Sequence, residues 1–195
     1  MRENTSEREI GLPAEKPRLI MAYLLLVFVY VVSGKLGLML ALPPGYASAI
    51  FPPAGIAVAA VLIGGRGSLP WIFLGSLLLN LWVSDGAGHP FEVIGVAAAA
   101  IIAAASMLQA AAGGLWLRRL IGHPAPLDNA ADLLRFLLSA PAICLTSATL
   151  SVAGLWGIGV IATDSLSTSW ITWWIGDTLG VLVMLPLVLV IVGEP

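Results

Sequence analysis

The sequence predicts an all-α fold, a polytopic bundle of about six transmembrane helices with a proline-rich break after the first one. Three observations predict it. Hydrophobic residues make up 59% of the 195 residues and charged residues only 10%, proportions far from those of soluble domains. The mean hydropathy is +0.98. Because one crossing needs about 20 apolar residues, the chain has length for about six crossings joined by short loops.

Charge, cysteine and histidine content exclude several classes of function. The formal net charge of −2 and the scattered basic residues provide no surface for nucleic acid or for a polybasic attachment to lipid. Cys144 is the only cysteine, which excludes an intrachain disulfide. His89 and His123 are expected on opposite membrane faces, so they cannot share a metal. With no phosphate-binding loop or catalytic motif, this segment is expected to be no enzyme and to hold no cofactor.

Apolar runs separated by polar or proline-rich breaks give the expected order of elements. Residues 1–17 are polar and of mixed charge, which predicts a flexible cytoplasmic tail ahead of a transmembrane domain over 18–195. The break PPGYASAIFPPAG at 43–55 contains four prolines and excludes a continuous helix there. The expected spans are 18–42, 53–64, 68–83, one within 91–120, one within 131–154, and 170–192.

The short second and third apolar runs, divided by GGRG at 64–67, allow two arrangements. A re-entrant hairpin would place Arg66 near the bilayer centre at a cost of about 2.5 to 3.5 kcal/mol, whereas two full crossings place it in water. Two crossings are therefore predicted, with Trp71 and Trp82 as anchors at the membrane interfaces.

The distribution of Lys and Arg predicts the orientation of the chain. With a cytoplasmic N-terminus, Lys35 is the one basic residue on the outer side, and Arg135 lies just inside the cytoplasmic end of the fifth span. The positive-inside rule then places both termini in the cytoplasm. The other basic residues expected on that side are Arg2, Arg8, Lys16, Arg18, Arg66, Arg118 and Arg119.

The entry to the fifth span carries charges that predict a helix start. Asp128 and Asp132 lie at the beginning of the span, and acids favour a helix N-terminus. Arg135, one turn later, is therefore expected to have a structural role and not a ligand-binding one.

Polar residues on four different spans fall at similar depths near the outer side. They predict a ligand-binding pocket that opens to the periplasm and is roofed by the segment 51–55. Because an ionised carboxylate is costly against lipid, Asp177 is predicted to face the bundle and to pair with Lys35. The expected ligand-binding residues are Lys35, Asn80, Glu92, Trp174 and Asp177.

The same residues allow plainer interpretations. The Lys35 and Asp177 pair can be a structural salt bridge that orders the bundle without any ligand. Asn80 can form an interhelical hydrogen bond, worth about 0.6 kcal/mol on average. Glu92 can be a solvated loop charge. Gln109, in the middle of the fourth span, needs a partner, which is expected on a neighbouring helix.

Spacing in the last span predicts which of its residues face the bundle. Gly176 and Gly180 form a small-x-x-x-small pair beside Asp177, which predicts the close approach of another helix. The residues that share the face of Asp177, by the i, i+4, i+7 spacing, are Trp170, Trp174, Val181 and Met184.

Four stretches of the chain match a known pattern in the same order. They are GKLGLMLALPPGYASAIFPPAGIAVAAVLIGGRGSLPWIFLGSLLLNL at 34–81, GGLWLRRL at 113–120, DLLRFLL at 132–138 and WITWWIGDTLGVLVMLPLVL at 170–189. Through them the chain resembles the bacterial membrane-associated sensor domain, type one, of the MASE group. The matching positions are Pro52, Pro53, Ala54, Gly55, Asn80, Arg135, Phe136, Trp173, Trp174, Gly176 and Asp177.

The resemblance implies a multi-pass sensory input domain of the bacterial inner membrane whose stimulus is periplasmic or membrane-borne. It also implies a cytoplasmic effector, in cis or in trans: a histidine kinase of a two-component system, or a diguanylate cyclase or other enzyme of cyclic-di-GMP signalling. Ser106 and Gln109 depart from the pattern, since Asn and Glu are frequent there. The usual module continues into further helices, so the chain is expected to be a fragment or a stand-alone relative.

A proline-broken segment and an intramembrane carboxylate are also typical of a small membrane transporter or channel. Against that function, the sequence has no inverted repeat and no polar line from Asp177 to the cytoplasmic side. The expected partners are membrane lipid, a small-molecule stimulus and the effector. Whether the domain forms a homodimer is left open.

Overall fold

The chain is a bundle of six helices in a computed structural model that describes residues 15–39, 41–42, 47–86, 92–122, 127 and 129–192. The predicted all-α bundle is confirmed. The helices are α1 Glu15–Leu38, α2 Pro52–Gly64, α3 Leu69–Gly86, α4 Val93–Ile121, α5 Ala130–Gly157 and α6 Leu166–Val192. Short 3-10 turns at Gly65–Ser68 and Thr163–Ser165 precede α3 and α6.

The helix bounds differ from the predicted spans at several ends. The helix α1 begins at Glu15, inside the predicted tail, and ends at Leu38 instead of residue 42. Two two-residue strands pair antiparallel: β1 Ala41–Leu42, directly before the proline-rich break, and β2 Ala47–Ser48, within it. Predictions that concern Arg2, Arg8, His89, His123 and Asp128 fall outside the described residues, and the cytoplasmic placement of both termini stays a prediction.

Five helical stretches within the described residues are long and apolar enough to cross a membrane, and one of them, Pro52–Ser84, contains both α2 and α3. The chain reverses between these two helices. Gly34 of α1 packs against Pro53, at the start of α2, and against Leu79, near the end of α3. The start of α2 and the end of α3 therefore lie at the same end of the bundle, and the two helices run antiparallel.

The turn between α2 and α3 lies at the far end of the bundle. Gly65, with a φ of +70°, approaches the guanidinium of Arg118 in the last turn of α4. Since α4 has 29 residues, it is about 43 Å long, more than the bilayer core needs. Arg66 is accordingly exposed beside the end of a full-length helix, an arrangement that agrees with the two-crossing interpretation and not with a shallow hairpin.

The helix α2 has nearly the bounds of the expected second span, 53–64, and by itself it is shorter than a full crossing. Its 13 residues extend about 20 Å, against about 30 Å for the hydrocarbon core. The extended residues Ser48–Phe51 lead into it and lie against α6. The helix contacts α1, α4 and α6, and most of its side chains are buried. It is therefore a central helix, consistent with apolar residues all around its axis.

The helix α5 begins at Ala130, close to the predicted helix start. Asn129 is the N-cap, and its Oδ1 accepts a hydrogen bond from the backbone N–H of Asp132 at 2.8 Å. Arg135 Nη1 forms an ion pair with Asp132 Oδ1 at 2.8 Å. Both residues lie near the start of α5, so their ion pair stabilises the beginning of the helix. The pair lies outside the bundle interior.

Candidate functional site in the bundle interior

Asp177 of α6 faces the bundle interior, as predicted, and only 2% of its surface is exposed. Two glycines make room for the neighbouring chain at this level. A side chain on Gly176 would overlap the carbonyl oxygen of Ser48, and one on Gly180 would overlap that of Phe51. The backbone N–H of Phe51 donates to Gly176 O at 3.0 Å. The close approach predicted for Gly176 and Gly180 is confirmed, although the partner at Gly176 is an extended segment and not a helix.

The first turn of α2 also contacts α6. Pro52 and Pro53 open α2, where a missing N–H is tolerated. Gly55, one turn later, packs against the backbone of Gly180. The sequence PPAG therefore lets α2 begin directly on the surface of α6.

Side chains from α4 and α5 supply the polar neighbours of Asp177. The hydroxyl of Ser147 and the amide of Gln109 are the polar groups nearest to its carboxyl group. Trp173 Nε1 donates to Ser147 Oγ at 3.2 Å. Gln109 is 2% exposed, and its Oε1 has no hydrogen-bond partner among the described residues. Asp177 on α6 is thus a polar neighbour of Gln109 on another helix.

A second group of polar side chains continues from Asp177 toward α1 and α3. Tyr30 is fully buried, and its hydroxyl lies next to Ser76 and Ser106 and within electrostatic range of Asp177. Ser76 Oγ donates to Ser106 Oγ at 3.4 Å. The Tyr30 hydroxyl has no well-formed hydrogen bond among the described residues. We name the combined set the interior cluster: Tyr30, Ser76, Asn80, Ser106, Gln109, Ser147 and Asp177.

A small cavity lies on one side of Asp177, beneath the extended segment. Its volume of about 10 Å³ is room for about one water molecule. Phe51, the first residue of the predicted roof 51–55, and Ser48 both border it. The lining residues are Leu38, Ser48, Phe51, Asn80, Ile102, Trp173 and Asp177.

The predicted pair between Lys35 and Asp177 does not form. Lys35 Nζ lies over the ring of Trp82, 4.7 Å from its centroid, and no ion pair joins it to Asp177 among the described residues. The reason is the order of helices. The helix α1 packs on α2 and α3, whereas α6 packs on α2 and α5. Lys35 on α1 therefore lies against Trp82 of α3, whereas the side chains beside Asp177 come mainly from α4 and α5.

The other predicted ligand-binding residues separate into those at the cavity and those away from it. Asn80 lines the cavity, and its Nδ2 donates to Ser76 O of its own helix at 2.8 Å; within the described part of the chain its side chain forms no hydrogen bond to another helix. Glu92 is exposed at the N-cap of α4. Trp174 donates its Nε1 to Pro141 O at 2.8 Å and stacks on Trp170. Neither Glu92 nor Trp174 borders the cavity.

Sequence reasoning missed the contribution of neutral residues to the site. The residues missed are uncharged: Tyr30, Ser76 and Ser147. Hydroxyl side chains are common in membrane helices, where they often form hydrogen bonds to the backbone of their own helix, so they give no signal of a site. Their burial is decided by which helices become neighbours. The one usable signal was Gln109, whose side chain needs a partner within the bilayer.

The chain also matches a family of known proteins. The family model MASE1 covers residues 22–193, from the third turn of α1 to the end of α6. No curated protein and no solved structure matches the chain. The match spans all of the residues that form the interior cluster. The chain therefore belongs to the MASE1 family, whose members are membrane sensory input domains.

Proposed function

We propose that the interior cluster is the stimulus site of this input domain, and that its occupancy is passed to a cytoplasmic effector. The effector, joined in cis or bound in trans, is a histidine kinase or an enzyme of cyclic-di-GMP metabolism. One observation carries the proposal: a buried carboxyl group, Asp177, lies where α4, α5 and α6 meet, and no cation faces it among the described residues.

The cluster contains unmet hydrogen-bonding capacity that a stimulus can use. Tyr30 Oη and Gln109 Oε1 are buried without partners among the described residues. Each such group costs about 1 to 3 kcal/mol when it is left unsatisfied. A stimulus that supplies partners removes this cost in the helix arrangement that binds it. Binding therefore favours that arrangement over the alternative one.

The extended segment Ser48–Phe51 offers a route from the cluster to the opposite end of the bundle. Its N–H at Phe51 is bonded to Gly176, one residue before Asp177. The same segment continues directly into α2. At the other end of α2, Arg118 Nη2 donates to Leu62 O at 2.7 Å. A shift of the segment would therefore move α2 against α4 at the end where the cytoplasmic side is predicted.

The required coupling is modest. A useful response needs about 1 to 3 kcal/mol between the stimulus site and the effector. A stimulus that provides hydrogen-bond partners for one or two buried, unpartnered polar groups supplies energy of that order. The helices α2 and α6, which both leave the cluster toward the same end, are the candidate transmitting elements, and the bacterial inner membrane is the proposed location.

The test is a fusion of this chain to a diguanylate cyclase catalytic domain, with cellular cyclic-di-GMP as the output. We expect Asp177→Asn to change the output by about 5-fold or more. The substitution should change the free energy of interaction at the site by about as much as the coupling energy. Asp164→Asn is the matched control, because Asp164 is exposed in the 3-10 turn before α6.

Two results would count against the proposal. One is an unchanged output of the Asp177→Asn fusion at equal expression and over all growth conditions tried. The other is uptake of a solute by liposomes that contain the purified chain, abolished by Asp177→Asn, which would favour a transporter.

A further inference from the structure

We propose that the turn between α2 and α3, together with the adjoining side of α1, binds the phosphate headgroup of an anionic phospholipid. The groups that would contact the phosphate are the guanidinium groups of Arg66 and Arg18 and the hydroxyl of Tyr23. The proposal does not rest on the function proposed for the interior cluster.

The fold gathers basic residues that are scattered along the sequence. A Cβ added to Gly65 would lie 3.7 Å from Nη2 of Arg118, and one added to Gly67 would lie 2.6 Å from the hydroxyl of Tyr23. The turn Gly65–Ser68 therefore lies between the last turn of α4 and the first half of α1. The expectation that the scattered basic residues provide no surface for lipid is thereby revised. Four arginines lie at this end of the bundle: Arg18, Arg66, Arg118 and Arg119.

The positive charge at this end is not balanced by acids in the described part of the chain. Asp132 is the one acid at this end whose side chain the structure describes, and it pairs with Arg135 at 2.8 Å. Glu92 and Asp164 lie at the opposite end, because Glu92 precedes α4 and Asp164 follows α5. The four arginines around the turn therefore attract an anion from outside the bundle.

Donors around the turn are available to an anion. Arg66 and Arg18 are exposed, and neither they nor Tyr23 Oη form a hydrogen bond or ion pair within the described part of the chain. Arg118, by contrast, already donates to Leu62 O, so it holds the turn in place and adds its charge. Pairs of arginine and phosphate form strong, often bidentate hydrogen bonds, and a tyrosine hydroxyl supplies a further donor.

The surroundings of the turn favour a lipid over a soluble phosphate. Tyr23 stacks on Trp71 with ring centroids 5.4 Å apart, and such rings prefer the level of the lipid headgroups. From Tyr23 inward, α1 exposes apolar side chains at Leu24, Leu25 and Phe28. A phosphate on the turn therefore has an apolar surface beside it for the acyl chains of the same molecule. The positive-inside rule also predicts that this end meets the cytoplasmic leaflet, which carries anionic lipids.

The test measures thermal unfolding of the purified full chain in micelles of a neutral detergent, followed by tryptophan fluorescence. Dioleoyl phosphatidylglycerol is added in one series and dioleoyl phosphatidylcholine in another. We expect phosphatidylglycerol to raise Tm by about 5 to 10 °C when it exceeds its apparent dissociation constant about 100-fold. Phosphatidylcholine should need a concentration at least about 10-fold higher for the same rise. Sodium phosphate without lipid, compared with NaCl at equal ionic strength, should leave Tm unchanged.

Variants decide whether the headgroup binds at the turn. Arg66→Gln should weaken the apparent affinity for phosphatidylglycerol about 5-fold, the factor that one basic residue contributes at an anionic surface. Tyr23→Phe keeps the stacked ring and should weaken it about 2- to 10-fold through loss of the hydroxyl. Lys35→Gln is the matched control, because it removes the same charge near the other end of α1. It should change the affinity by less than about 2-fold, since distant exposed charges are screened.

Equal shifts of Tm by phosphatidylglycerol and phosphatidylcholine would overturn the proposal, and so would equal losses of affinity in Arg66→Gln and Lys35→Gln. A rise in Tm with sodium phosphate alone would indicate a site for a soluble anion and would also overturn the assignment to lipid. None of these outcomes depends on Asp177 or on an effector, so they are separate from the test of the proposed function.

Discussion

Gly55 of α2 lies so close to Gly180 of α6 that a methyl group on Gly55 would overlap the carbonyl oxygen of Gly180. The contact holds the first turn of α2 against α6, three residues beyond Asp177. In lipid, where apolar burial does not distinguish one helix partner from another, close packing of small residues is a main source of association. The geometry of the interior cluster therefore depends on this pair.

Gly55→Ala should destabilise the bundle and widen the contact between α2 and α6. We expect a loss of about 1 to 3 kcal/mol in the free energy of unfolding, the usual range for overpacking. Gly157→Ala is the matched control, because nothing lies within 4 Å of the added Cβ at the end of α5. Equilibrium unfolding in mixed detergent micelles measures the free energy of unfolding of both variants. Equal stability of the two variants would contradict the contact.

Arg118→Ala should release the C-terminal end of α2. Its Nε and Nη2 donate to Leu62 O at 3.0 and 2.7 Å, and hydrogen bonds to charged groups contribute about 1.5 to 3 kcal/mol. Arg118→Lys should retain only part of the stability that Arg118→Ala loses, since an ammonium group lacks the planar arrangement of donors of a guanidinium. Arg119→Ala, at an exposed neighbouring position, should be nearly neutral. Unfolding measurements on all three variants check the order, and a loss in Arg119→Ala as large as in Arg118→Ala would refute it.

Lys35 and Asp177 should behave as energetically independent residues. Since Lys35 lies over Trp82 and not beside Asp177, a double-mutant cycle of Lys35→Met and Asp177→Asn should give a coupling energy within about 0.3 to 0.5 kcal/mol of zero. Lys35→Met with Trp82→Leu should show a measurable coupling, because a cation over an aromatic face contributes about 0.5 to 1 kcal/mol at exposed sites. A coupling of several kcal/mol in the first cycle would restore the direct ion pair.

Asn129→Ala should weaken the start of α5. The variant removes the acceptor for the backbone N–H of Asp132, and loss of an N-cap costs about 0.5 to 2 kcal/mol. Asn129→Ser keeps an acceptor and should retain most of the stability. Hydrogen exchange at residues 130–133 reports the effect locally. Faster exchange in the serine variant than in the alanine variant would argue against the cap.

The sequence determined the class of fold and several local features by itself. An apolar share of 59% requires helices in a bilayer, because each backbone polar group must be satisfied within its own segment. The prolines at 52–53 fixed the start of α2, and the spacing of Gly176 and Gly180 predicted a close approach. The burial of Asp177 followed from the cost of exposing a carboxylate to lipid.

The tertiary structure alone decided the partners of these residues. Helices that are apolar on every side carry no stripe that identifies a neighbour, since lipid chains and protein interiors are equally apolar. Whether Lys35 or Gln109 would meet Asp177 therefore depended on which helices pack together, a long-range result of close packing at Gly34, Gly55 and Gly180. Depth along the membrane can be read from local sequence, but the order of helices around the bundle is set by contacts between distant segments.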